Sequence, residues 1–115
     1  MATDAFFEVT QSELPGVPVL DVGGEIDVAT SPRLKELLTG LIEGGSALVI
    51  VNLTEVTFID STGLGALAAA VRDARAVGGD LRLVVTSPQI IKLLELTGLD
   101  EVFSVVSSTK DAVGS

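Results

Sequence analysis

Apolar residues along this chain follow two patterns: short continuous runs, and stretches in which they recur every three or four positions. Residues 5–10 and 17–22 are apolar segments flanking 11–16, whose Ser, Glu, Pro and Gly favour a turn, so an antiparallel hairpin is predicted first. Its second arm ends near Gly23-Gly24-Glu25-Ile26-Asp27. Ser31-Pro32 then reads as an N-cap and first-turn pair. Leu34, Leu37, Leu38, Leu41 and Ile42 follow at helical spacing until Gly44-Gly45 stops the run.

Residues 47–53 contain the unbroken run Leu48 to Val51, which predicts a central strand with both faces covered, and 54–60 read as a short connection. From 62 to 77, Leu64, Leu67, Ala68, Val71 and Ala74 keep the 3.6-residue period of a helix that Gly78-Gly79 ends. Residues 81–85 form the next strand. Ser87-Pro88 opens a third helix reaching Thr97, with Gly98 placed for a left-handed cap and Leu99 to pack back. Residues 102–106 make the last strand, and 109–113 form a helical turn or the start of a longer docked helix. Strand and helix alternating in this way predict an α/β fold: a mixed, mostly parallel sheet of about five strands with helices packed on it. No repeat, low-complexity segment or linker interrupts it.

Composition narrows the function. At 115 residues and 47% hydrophobic content, the chain fits one domain over 1–115. A formal charge of −9 with no cluster of Lys or Arg argues against nucleic acid as a partner. The apolar runs are far shorter than the ~20 residues that cross a bilayer, and the N-terminus has no basic region before an apolar one. A cytoplasmic location is expected. With neither His nor Cys, the usual general base, the thiol nucleophile and the commonest transition-metal ligands are missing. Neither GxxxxGK nor GxGxxG occurs, nor carboxylate spacing suited to a metal loop, so no cofactor, metal or catalytic residue is assigned.

What remains is Asp60-Ser61-Thr62-Gly63-Leu64-Gly65, where a strand exit meets a helix start. A serine there can cap the helix by accepting a bond from a first-turn amide. The same free amides and the positive end of the helix dipole also favour a phosphate on Ser61, against repulsion from Asp60. Gly65 sits inside the first turn, where alanine would favour the helix by ~1 kcal/mol. Either close approach by another protein or tight packing against a strand can outweigh that cost. A second polar group, Glu25, Asp27, Thr30 and Ser31, ends the second strand. If that strand runs parallel to 47–53, Asp27 and Ser61 become neighbours on the sheet edge where partners gather in open α/β folds. Alternatively, Asp27 and Ser31 cap their own helix.

Gly24-Glu25-Ile26-Asp27, residues 48–52, Phe58-Ile59-Asp60-Ser61-Thr62-Gly63-Leu64-Gly65 and Ser87-Pro88, in this order and spacing, resemble the anti-sigma factor antagonists of the STAS domain family. The resemblance spans nearly the whole chain. It implies that Ser61 is phosphorylated by a serine kinase that is itself the anti-sigma factor, and that a PP2C-type phosphatase reverses the modification. The unphosphorylated form then sequesters the anti-sigma factor and frees a sigma factor. Asp27 matches the family's acidic residue near the phosphosite, and Thr62 stands where some members carry a second Ser. The implied partner-binding residues are Asp27, Thr30, Asp60, Ser61, Thr62, Gly63, Leu64 and Gly65, on a monomer or weak dimer. The competing reading is a constitutive STAS binding subunit of a lipid-transport or stress-signalling complex, with Ser61 as a cap. An enzyme using Asp60 in phosphoryl transfer is a weaker third, because no metal-binding or general-base group accompanies it.

Overall fold

The computed structural model of the chain describes residues 7–14 and 16–114. The run predicted to be a central strand organises it: Val49, Ile50 and Val51 are all buried, and they alternate between two apolar layers. Val49 and Val51 face the larger layer, with Leu34, Leu67 and Ile90 from three helices, while Ile50 faces a smaller one with Val19, Val84 and Ala112. A strand buried on both faces has no reason to alternate polar with apolar, which is why it reads as a run.

In chain order the elements are β1 (Phe7–Leu14), β2 (Val17–Ile26), α1 (Ser31–Glu43), β3 (Leu48–Ile59), α2 (Ser61–Ala76), β4 (Asp80–Val84), α3 (Pro88–Thr97), a short 3-10 helix (Leu99–Glu101), β5 (Ser104–Val106) and α4 (Thr109–Gly114). The sheet has the order β1-β2-β3-β4-β5, with β1 and β2 antiparallel and the other neighbours parallel. This is the mixed, mostly parallel five-stranded sheet expected from the pattern. Helices α1, α2 and α3 supply the larger layer, and Ala112 of α4 closes the smaller one. Arg82 of β4 donates to the Ala112 carbonyl and ties α4 to the sheet. Among the described residues no helix is long and apolar enough to cross a membrane.

Several boundaries differ from the sequence reading. β3 does not stop at residue 53 but runs on to Ile59, so the expected connection is strand. Beyond Val51 its buried positions are Leu53, Val56 and Ile59, spaced three apart, because the β2–β3 pairing slips between Asp21 and Gly23 and again between Gly24 and Glu25. Such irregularities erase the two-residue alternation that marks a strand. Similarly, β1 continues through 11–14, expected as turn, since residues 10–13 are exposed on an edge strand and need no apolar side chains. β2 begins at Val17, and Gly16 just before it has φ +76. Residues 5, 6 and 15 lie outside the described residues. β5 is shorter than expected because the amides of Val102 and Phe103 both donate to Leu99 O, closing the 3-10 turn after Gly98. The third helix is as expected: Ser87 Oγ accepts from Ile90 N at 3.3 Å, and Gly98 caps with φ +76.

Candidate functional site

The extension of β3 builds the site. β2 and β3 lie side by side and parallel, and their last pair is Ile26 with Ile59. Each isoleucine is followed by an aspartate, so Asp27 and Asp60 leave the sheet together. Asp60 N donates to Ile26 O at 3.1 Å, which ties the two exits to each other. The parallel pairing of β2 with β3, on which the inferred closeness of Asp27 and Ser61 depended, is present.

Asp60, rather than Ser61, caps α2. Its backbone is extended, its Oδ1 accepts from Gly63 N at 3.0 Å, and its carbonyl accepts from Leu64 N at 2.9 Å. An aspartate in this position satisfies an orphan first-turn donor and faces the positive end of the dipole. Ser61 is the first helical residue, exposed, and its hydroxyl has no hydrogen-bond partner among the described residues. Thr62 beside it is also exposed. The capping explanation for Ser61 is thereby removed, and a group added to its Oγ breaks no internal bond.

The two glycines separate cleanly. A Cβ on Gly63 would lie 2.6 Å from Ile26 Cγ2, 2.9 Å from Ile59 Cγ1 and 3.1 Å from Ile26 O. Gly63 exists so that α2 can start against the ends of β2 and β3. Leu64 is likewise buried, at 5% exposure. Both shape the site from beneath and leave the surface to Ser61, Thr62 and Gly65. A Cβ on Gly65 would meet nothing within 4 Å.

The Asp27 turn is held by its own bonds. Asp27 Oδ1 accepts from the amides of Ala29 and Thr30, both at 3.0 Å. Thr30 Oγ1 accepts from Asp27 N at 2.8 Å and donates to Glu25 O at 2.9 Å. Such an aspartate turn substitutes for a helix cap. Ser31 is not the N-cap: it is the buried first residue of α1, and its hydroxyl donates to Asp27 O at 2.7 Å. Thr30→Val removes the hydroxyl while keeping the shape, leaving Asp27 N and Glu25 O short of a partner. It should cost about 1–3 kcal/mol in urea denaturation, a loss that Thr30→Ser largely avoids.

Sequence reasoning missed two features of this edge. Val28, in the turn, and Phe58, near the end of β3, are 71% and 49% exposed, both next to the Asp-Ser corner. Phe58 was hidden in what read as a connection, although an aromatic residue beside a strand run is a signal that could have been used. The second feature is a shallow groove between α1 and α2, lined by Pro32, Lys35, Thr62, Gly65, Ala66 and Ala69 among others. Only pairing of the two helices brings these residues together.

The corner is acidic. Glu25, Asp27 and Asp60 lie at the ends of β2 and β3, and no Lys or Arg occurs between residues 34 and 72 apart from Lys35. Among the described residues no group of three or more His, Cys, Asp or Glu is arranged to hold a metal ion. The arrangement presents the exposed Ser61 and Thr62 hydroxyls, neither hydrogen-bonded among the described residues, on an acidic, partly apolar surface.

The STAS domain model matches residues 8–112. The anti-sigma-B factor antagonist of Staphylococcus aureus is 37% identical over 89 residues, which are 77% of this chain and 82% of that protein. Among solved structures, an anti-sigma factor antagonist from Mycobacterium paratuberculosis superposes with a TM-score of 0.86 at 28% identity, covering 95% of this chain and 92% of that one. The Bacillus cell fate determinant SpoIIAA in its phosphorylated form shares the fold, with a TM-score of 0.70 at 23% identity over 95% of this chain and 97% of that one.

Proposed function

Because the chain belongs to the STAS domain family, among its anti-sigma factor antagonists, we propose that its unphosphorylated form binds an anti-sigma factor that is also a serine kinase, and so frees a sigma factor. The kinase transfers the γ-phosphoryl group of ATP to Ser61 Oγ, leaving ADP, and the complex dissociates. A PP2C-type phosphatase restores the binding form. The protein is thus a regulator and a substrate, not an enzyme.

One observation carries this reading: the Ser61 hydroxyl is exposed at the start of α2 with no internal hydrogen bond among the described residues. A kinase can reach it without unfolding anything. The phosphate adds about −1.5 to −2 charges beside Asp60 and near Asp27. Within the free protein, the dipole of α2 offsets part of that repulsion. At a contact surface the added charge must be desolvated, and no comparable offset exists, so the switch works on the complex with no large conformational change. The phosphorylated state of SpoIIAA, a protein of the same fold, supports a fold of this kind accepting such a group.

The test is incubation with the anti-sigma factor of the same organism and ATP, followed by mapping of the product. One phosphate on Ser61, and none on Ser61→Ala, is the expected outcome. Modification elsewhere with Ser61 untouched refutes the assignment.

A further inference from the structure

We infer that Lys35 of α1 is the internal counter-ion of the Ser61 phosphate: once that group is in place, the ammonium holds it across the mouth of the α1–α2 groove, away from Asp27 and Asp60. This rests on the proposed function and adds to it a positioning residue for the phosphorylated state.

A phosphate on Ser61 is a near-dianion among charges of its own sign: Asp60 precedes it, Asp27 leaves the sheet beside Asp60, and Glu25 lies near the end of β2. Both aspartates are tied down by backbone amides, Asp60 by Gly63 N and Asp27 by Ala29 N and Thr30 N, so neither swings aside without giving up bonds. A cation must come from elsewhere, and the chain has only 7 Lys and Arg. Arg75 and Arg82 both pair with Asp80. Arg72 and Arg75 are also about three and four turns down α2, roughly 16 and 21 Å from Ser61 along the axis. Lys92 is on α3, which connects β4 to β5 on the far side of the sheet from β2, and Lys110 is on α4, which covers the other face. Arg33, two residues from Lys35, is on the opposite side of α1. Lys35 is what remains.

Its place in the fold fits the role. α1 and α2 begin at the same edge of the sheet, with Ser31 and Ser61, and four residues further on Lys35 and Gly65 line the groove between them. Lys35 thus lies one turn below the phosphate, the rise that ion pairs four residues apart span on a single helix. Because Cα–Cβ bonds in a helix tilt towards its N-terminus, the Lys35 side chain leans up the groove towards Ser61. The groove's apolar lining, with Pro32, Ala66 and Ala69, suits the aliphatic stem, and Gly65 has no side chain to block the way. Nothing competes for the ammonium: the residues three and four positions away on α1 are Ser31, Pro32, Leu38 and Thr39, none of them acidic, and Lys35 makes no ion pair among the described residues. A charge-assisted bond to a phosphate oxygen draws the group towards α1 and off the two carboxylates. The phosphorylated state is thereby stabilised within the protein itself.

Phosphoserine incorporated at position 61 during translation gives the phosphorylated chain without any kinase, and phosphorus NMR follows its second ionisation against pH. A cation beside the phosphate favours the dianion, so Lys35→Gln should raise the midpoint by about 0.2–0.7 on the pH scale, the range of an exposed pair. Lys35→Arg should keep the wild-type midpoint, and Lys110→Gln, on the other face of the sheet, should leave it unmoved. The difference between wild type and Lys35→Gln should shrink in salt of about 1 M, where charges are screened beyond about 3 Å. Equal midpoints in wild type and Lys35→Gln, or the same rise in Lys110→Gln, overturn the role of Lys35 and leave the Ser61 switch standing. Failure of the anti-sigma factor to label Ser61, measured separately, overturns the function on which that role rests.

Discussion

Gly63→Ala should destabilise the protein by about 1–2 kcal/mol, lowering the melting temperature by roughly 4–8 °C at this chain length. The new methyl would stand 2.6 Å from Ile26 Cγ2 and 3.1 Å from the Ile26 carbonyl. Ile26 is fully buried, so its side chain has nowhere to rotate, and its carbonyl already accepts the Asp60 amide. Overpacking of a tight core costs ~1–3 kcal/mol, which exceeds the ~1 kcal/mol that alanine gains over glycine in a helix. The same change two residues on, in Gly65, has the opposite sign. Paired thermal melts read both directions, and a Gly63→Ala protein as stable as wild type means that α2 does not start against β2 and β3 as described.

Ser61→Glu should weaken anti-sigma factor binding roughly 5- to 150-fold, the range of a coupling of ~1–3 kcal/mol, at the lower end because glutamate carries less charge than phosphate. Ser61→Ala should bind like wild type and match its stability within about 0.5 kcal/mol, since the hydroxyl makes no bond to lose. The contrast separates the switch from a constitutive binding module, for which the two variants behave alike. Isothermal titration of each variant with the anti-sigma factor gives the comparison. Equal affinities for Ser61→Ala and Ser61→Glu would falsify charge as the switch.

The sheet and its three larger helices were legible because their signals are local and strong. The Leu48 to Val51 run could only be a strand covered twice, and Leu34, Leu38 and Ile42 repeat on one face of α1. What the pattern hid was the upper half of β3, where two slips of register against β2 replace alternation with a three-residue spacing. That half positions the whole site, since without it Asp60 would not leave the sheet level with Asp27. The motif itself was visible, but its division of labour was not. Asp60 and Ser61 are both good caps by composition, and only the bond from Gly63 N to Asp60 Oδ1 decides between them. Likewise, two glycines two residues apart look equivalent in a sequence, while Ile26 stands over one and solvent over the other. The α1–α2 groove could not be read at all, because it depends on how two helices pair.

The most direct measurement uses the native modification. Purified protein is titrated with its anti-sigma factor before phosphorylation, after quantitative phosphorylation by that kinase, and again after treatment with a PP2C-type phosphatase. The account predicts tight binding, then a loss of roughly 5- to 150-fold with phosphate on Ser61 alone, then full recovery. Affinity unchanged by a phosphate on Ser61 contradicts it.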